Sequence, residues 1–150
     1  MKELWLEDLA AGRKFGSGTA RVDEARIRSF AAEFDPQPFH LDEEAARRSF
    51  FGGLAASGWH TAAITMRLLV DSEFRPAGGV IGMGFEEMRW PRPVRPGDEL
   101  HLDIEILEAR ASQSKPDLGV AKVRTTTLNQ RNEPVQVSVG NVIVRRRPAA

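Results

Sequence analysis

Apolar side chains return at Ile27, Phe30, Ala31 and Phe34, the i, i+3, i+4, i+7 stripe of an amphipathic helix. Asp23 stands where its carboxylate can accept from the free backbone donors of the first turn. Pro36 disfavours helical geometry in the residue before it, so the helix is predicted to stop at Phe34 or Asp35. A second, short helix is predicted behind Asp42, with Glu43 and Glu44 in the first turn, where the helix dipole favours acids. It ends at Phe50-Phe51-Gly52-Gly53. Ser57 is a fitting N-cap for a third and longer helix over residues 58–72, carrying Ile64, Met66, Leu68, Leu69 and Val70. Ala62 and Ala63 leave room on it for a sheet or partner helix to come close. Upstream, residues 1–15 form a lead-in whose Leu4, Trp5, Leu6, Leu9 and Phe15 can cover an exposed face, and residues 16–22 suit a short strand.

From about residue 80 the period changes to two. Leu100, Leu102, Ile104 and Ile106 alternate with polar neighbours, as in a half-buried antiparallel strand, behind the turn Arg95-Pro96-Gly97-Asp98. Further strands are predicted over residues 80–90, 118–129 and 135–145. In the last, Val135, Val137 and Val139 have one parity and Val142 and Val144 the other, which a bulge near Gly140-Asn141 would reconcile. Helices first and four strands after predict an α+β fold, an antiparallel sheet wrapped on one long helix.

Composition narrows the function classes. The 150 residues hold 21 Lys and Arg against 21 Asp and Glu, so no broad field invites nucleic acid or an anionic membrane. With no cysteine there is no disulfide framework, thiolate nucleophile or cysteine zinc site. Acidic residues occupy the N-terminus where a signal peptide needs an apolar run, and no apolar stretch has the length of a membrane span. One domain over residues 1–150, in the cytoplasm, is the expectation. No metal-ligand spacing, nucleophile elbow, phosphate loop or dinucleotide fingerprint occurs.

The unusual chemistry is concentrated in residues 35–60. Asp35 and His40 are separated by two prolines; extended, that stretch spans roughly 16–18 Å, so the two side chains meet only if the segment bends. Converged, a carboxylate and an imidazole can move protons at neutral pH. The competing reading makes Asp35 a helix terminator and His40 a loop residue. Ser57-Gly58 opens a helix whose unpaired N–H groups favour a developing anion, and glycine lets a ligand approach the backbone; it can equally be an ordinary helix start. Trp59 and His60 fit a pocket wall or the core, and His101 fits an ordinary strand position.

These residues resemble the MaoC-like dehydratases, the (R)-specific enoyl-CoA hydratase group of the hot dog fold. The family pattern Asp-x-Asn-Pro-x-His is similar to Asp35-Pro36-Gln37-Pro38-Phe39-His40, and its Ala-x-x-Gly stretch to Ala55-Ala56-Ser57-Gly58. Gln37 and Ser57 depart from the Asn and His usual there. The resemblance implies Asp35, His40 and the Gly58 N–H as catalytic groups, with Gln37, Phe39, Ser57, Trp59 and His60 around the substrate. Arg89, Arg92 and Arg95 would face the coenzyme A phosphates. It implies hydration of 2-enoyl thioesters or the reverse, no separate cofactor, an acyl-CoA or acyl-carrier partner and a homodimer. A hot dog thioesterase and a non-catalytic acyl-thioester-binding domain are the alternatives. Trp59, Met66, Met83 and Phe85 could line an acyl pocket.

Overall fold

The computed structural model describes residues 2–149. A one-turn 3-10 helix, Leu6–Asp8, leads into β1 (Lys14–Gly16) and β2 (Ala20–Arg21). Three helices follow, α1 (Glu24–Phe34), α2 (Pro38–Leu41) and α3 (Glu43–Arg47), then the long α4 (Gly58–Val70). Four strands complete the chain: β3 (Ile81–Arg89), β4 (Glu99–Ala111), β5 (Leu118–Leu128) and β6 (Pro134–Arg145). Their order in the antiparallel sheet is β1-β4-β5-β6-β3, with β2 also pairing β4.

The single strand expected at 16–22 is two pieces. Ser17 Oγ accepts the Leu102 N–H at 2.8 Å, so a side chain replaces a ladder acceptor and the backbone leaves the sheet between Gly16 and Ala20. The bulge expected near Gly140-Asn141 lies on the partner strand instead. β6 runs in unbroken register with β5 from Gln136 to Arg145, whereas the β3 pairing shifts between Gly82 and Gly84 and again between Phe85 and Glu87. No bulge is needed to reconcile the two valine parities, because both faces of β6 are buried there.

The alternation in β4 does what its period implies. Leu100, Leu102, Ile104 and Ile106 all face inward and are fully buried with Phe74, Ile27 and Leu54. The lead-in closes one side of this core with Leu4, Leu6, Leu9 and Phe15. Leu6 lies so tightly on Gly119 that a Cβ there would overlap it. Helix α4 turns Thr61, Thr65 and Leu68 toward the sheet, and Thr65 Oγ1 meets Thr127 Oγ1 at 2.7 Å. Much of its remaining apolar surface stays open, as does the face of edge strand β3, where Ile81, Met83 and Phe85 are each more than half exposed.

Candidate active site

The bend that Asp35 and His40 require is a single helical turn. Helix α1 ends at Phe34; the Asp35 N–H still donates to Ala31 O, and Asp35 O then accepts the Gln37 N–H at 2.7 Å. Pro38 sits at the first position of α2, where its missing N–H costs nothing and its fixed φ suits the helix. One turn later His40 points back. Its Nε2 lies 3.3 Å from Asp35 Oδ2, and the imidazole is buried. The alternative, a loop histidine in solvent, does not hold.

The segment 51–57 forms the other wall. Ala55 O lies 2.6 Å from His40 Nδ1, so this nitrogen carries hydrogen and donates. Ser57 Oγ donates to Asp35 Oδ2 at 2.7 Å while accepting the Trp59 N–H at 3.2 Å, which makes one hydroxyl both helix cap and carboxylate partner. Gln37 Nε2 donates to the other carboxylate oxygen at 2.5 Å. Burial by itself raises the Asp35 carboxyl; the donors from Ser57 and Gln37, with the adjacent imidazole, outweigh it and hold the group below the ordinary aspartate range. With carbonyl and carboxylate at its two nitrogens, the imidazole of His40 satisfies both when doubly protonated.

Segment 51–57 is itself held by Arg95. Expected to face a phosphate, Arg95 is turned inward. Its Nη1 donates to Gly53 O at 2.8 Å and Leu54 O at 3.3 Å, and its Nη2 to Phe51 O. Ala56 N–H donates to Val94 O at 2.9 Å beside it. The buried Asp98 steadies the Arg95 turn, accepting the Arg95 backbone N–H and the Gln130 amide. The guanidinium thus fixes three carbonyls immediately before the one that orients His40.

At the start of α4 the Gly58 N–H has no acceptor among the described residues. A Cβ on Gly58 would come within 2.9–3.2 Å of three ring atoms of Trp90, so only glycine leaves both the indole and the N-terminus in place. Trp59 packs edge-on to Trp90 at 5.5 Å between centroids. From Trp59 a cavity of about 660 Å³ runs between α4 and the inner face of β3, β5 and β6, walled by side chains such as Ala62, Met66, Leu69, Met83 and Val142. Trp59, Met66, Met83 and Phe85 of the expected pocket do line it.

Other expected residues lie apart from this centre. Phe39 packs edge-on to His40 and against Phe51, a wall of the histidine pocket. His60 stacks on Phe30 of α1 at 4.7 Å, with Nδ1 buried and unpartnered; burial, and then nearby Arg26, depress its basicity, against a smaller opposing effect of Asp23. Arg89 pairs with Glu87 and Arg92 with Glu133 on the surface. Sequence reasoning missed Trp90 and Gln136, which are joined by a 2.9 Å bond from the indole N–H to the amide oxygen. The only signal for Gln136 was a polar residue at an inward position of a valine-rich strand.

Comparison with known proteins places the chain in a family. The chain is 60% identical to the MaoC-like dehydratase of Rhodospirillum rubrum, whose crystal structure superposes with a TM-score of 0.94 over 97% of this chain and 99% of that one. It is 33% identical to the uncharacterized protein YdeM of Bacillus subtilis over 94% of this chain and 99% of that protein. An (R)-hydratase of Pseudomonas aeruginosa, 25% identical, superposes with a TM-score of 0.75 over 97% of this chain and 88% of its own. These likenesses confirm the hot dog fold of the sheet and helix. The family model described as "MaoC like domain" matches residues 8–129, a span that holds Asp35, His40, Ser57, Gly58 and Arg95, and the chain belongs to the MaoC-like dehydratase family.

Proposed function

We propose that this protein is an (R)-specific hydratase or dehydratase of 2-enoyl thioesters, a hydro-lyase carried by Asp35, His40 and the Gly58 N–H. The observation that carries the reading is the 3.3 Å approach of Asp35 Oδ2 to His40 Nε2, next to a Gly58 N–H without an acceptor among the described residues, on the helix whose Trp59 lines an apolar cavity. Asp35, kept ionised by its donors, takes a proton from a water held beside the two side chains as the water oxygen bonds to C3. The imidazolium of His40 gives its Nε2 proton to C2. The proton on Asp35 then returns across the 3.3 Å gap, restoring the pair. Negative charge that builds on the thioester oxygen meets the Gly58 N–H and the positive end of α4. General acid–base catalysis contributes about 10²–10⁴-fold and such an oxyanion donor about 10²–10³-fold.

The thioester would be carried by coenzyme A or an acyl carrier, its acyl group entering the cavity. The open face of β3 and α4, with Phe85, Met83 and Met66, suits a second copy of the chain, and light scattering at micromolar concentration would give the mass of a dimer. The function is tested by the fall of enoyl absorbance with crotonyl-CoA and a longer enoyl-CoA. Wild type should turn over at least one; Asp35→Asn and His40→Ala should each abolish turnover with folding intact. Release of free thiol in place of hydration would sink the hydratase reading in favour of a thioesterase.

A further inference from the structure

We infer that Gln136 is a specificity-determining residue whose amide reads an uncharged oxygen on the acyl group, so that the cavity selects oxygenated acyl chains over plain alkyl ones. This rests on the hydratase reading of the same site. Gln136 is 1% exposed and lines the cavity on the inner face of β6. Its Oε1 accepts the Trp90 indole N–H at 2.9 Å. Because an indole N–H can only donate, the amide cannot be turned end for end, and Nε2 is left facing away from Trp90 with two hydrogens to give. Among the described residues Nε2 donates to no protein atom, and it keeps a little surface open to the cavity.

The surroundings sharpen the choice of ligand. The neighbouring hydroxyls of Thr127 and Thr65 bond one another, and neither accepts from the amide. Thr125, diagonal to Gln136 across the β5–β6 pair, also lines the cavity, and its hydroxyl has no side-chain partner among the described residues. A ketone or hydroxyl oxygen between them would accept from Gln136 and, if a hydroxyl, donate to Thr125. Among the described residues no Asp, Glu, Lys, Arg or His lines the cavity, so a carboxylate would enter without a counter-ion. A plain alkyl chain, in turn, would cover the two N–H groups and leave them unpaired, a penalty of roughly tenfold or more in binding. Gln136 is also one indole ring away from Gly58, which places the amide along the acyl chain beyond the reacting carbons.

The test compares kcat/KM for 2-octenoyl-CoA with analogues bearing a keto oxygen at C5, C6 or C7, using wild type and Gln136→Met. Wild type should turn over at least one keto analogue with a higher kcat/KM than the alkyl parent. In the variant the keto-to-parent ratio for that analogue should fall by roughly tenfold. Gln136→Leu replaces the methionine variant if that one does not fold by circular dichroism. Ratios within twofold of wild type at every keto position overturn the inference, as does an equal loss on parent and analogues, which would place the amide on the thioester. If wild type turns over none of the four, the hydratase reading falls instead. Calorimetric binding of octanoyl-CoA against the saturated keto analogues, to wild type and variant, then decides Gln136 by the same ratio.

Discussion

Replacing Arg95 with methionine removes the guanidinium while keeping an unbranched apolar stem. Three carbonyls, of Phe51, Gly53 and Leu54, lose a charged donor at once. A hydrogen bond to a charged group contributes about 1.5–3 kcal/mol, but the Leu54 contact is long at 3.3 Å and the site is only partly buried, so about 3 kcal/mol in all is the expected loss. For a chain of this size each kcal/mol moves the thermal midpoint by about 2–4 °C, which puts the drop at roughly 6–12 °C. The effect on turnover should exceed what stability alone explains. The freed segment carries Ala55 O, which orients His40, and Ser57, which holds Asp35; a misplacement of about 1 Å costs on the order of 10²-fold. The assay is kcat and KM on an enoyl-CoA well below the variant's midpoint, beside ¹⁵N shifts of the His40 ring. Expected are a kcat about 10²-fold lower, a smaller change in KM and a His40 ring that no longer holds hydrogen firmly on Nδ1. Arg95→Lys, able to keep part of the clamp, should lie between. A lowered midpoint with kcat and the His40 shifts of wild type would refute the reasoning and reduce Arg95 to a fold residue.

Three further outcomes follow from the same geometry. Gly58→Ala drives a Cβ into the Trp90 ring; overpacking of about 1–3 kcal/mol exceeds the alanine helix gain of at most about 1, so differential scanning should show a modest loss and the enoyl assay a fall of more than tenfold. Full activity in that variant would remove Gly58 from the site. Ser57→Ala deletes a donor that holds the Asp35 carboxyl down, so its acid limb in the pH–rate profile should move to higher pH, and loss of the cap should cost about 1 kcal/mol; an unmoved limb counts against Asp35 as the base. His60 is held neutral by burial, with a smaller contribution from Arg26 partly offset by Asp23. The unfolded chain therefore binds the proton more readily, and stability is lost as pH falls below about 6.5. His60→Phe should keep the Phe30 stack and flatten that slope in urea titrations between about pH 7 and 5; an unchanged slope would assign it to other groups.

The sequence alone determined the elements whose signals are local. The helical stripe of α1, the alternation of β4 and the caps at Asp23, Asp42 and Ser57 depend on near neighbours, and all three cap side chains accept as expected. The Asp35–His40 constellation was legible because two prolines constrain the few residues between them. Short strands β1 and β2 were harder, since one side-chain hydrogen bond from a distant residue decides where the backbone leaves the ladder. The one expected bulge was placed on the wrong strand because register belongs to a pair of strands and not to either sequence.

Tertiary structure decided whatever depends on which partner arrives. Arg95 has the same chemistry as Arg89 and Arg92, yet packing turns it onto the segment behind His40 while the other two meet surface carboxylates. The orientation of the Gln136 amide is set by an indole 46 positions away, and that of the His40 imidazole by a carbonyl 15 positions away. Hydrogen-bond direction in a buried site comes from the geometry of neighbours that only folding brings together, and no pattern along the chain encodes it.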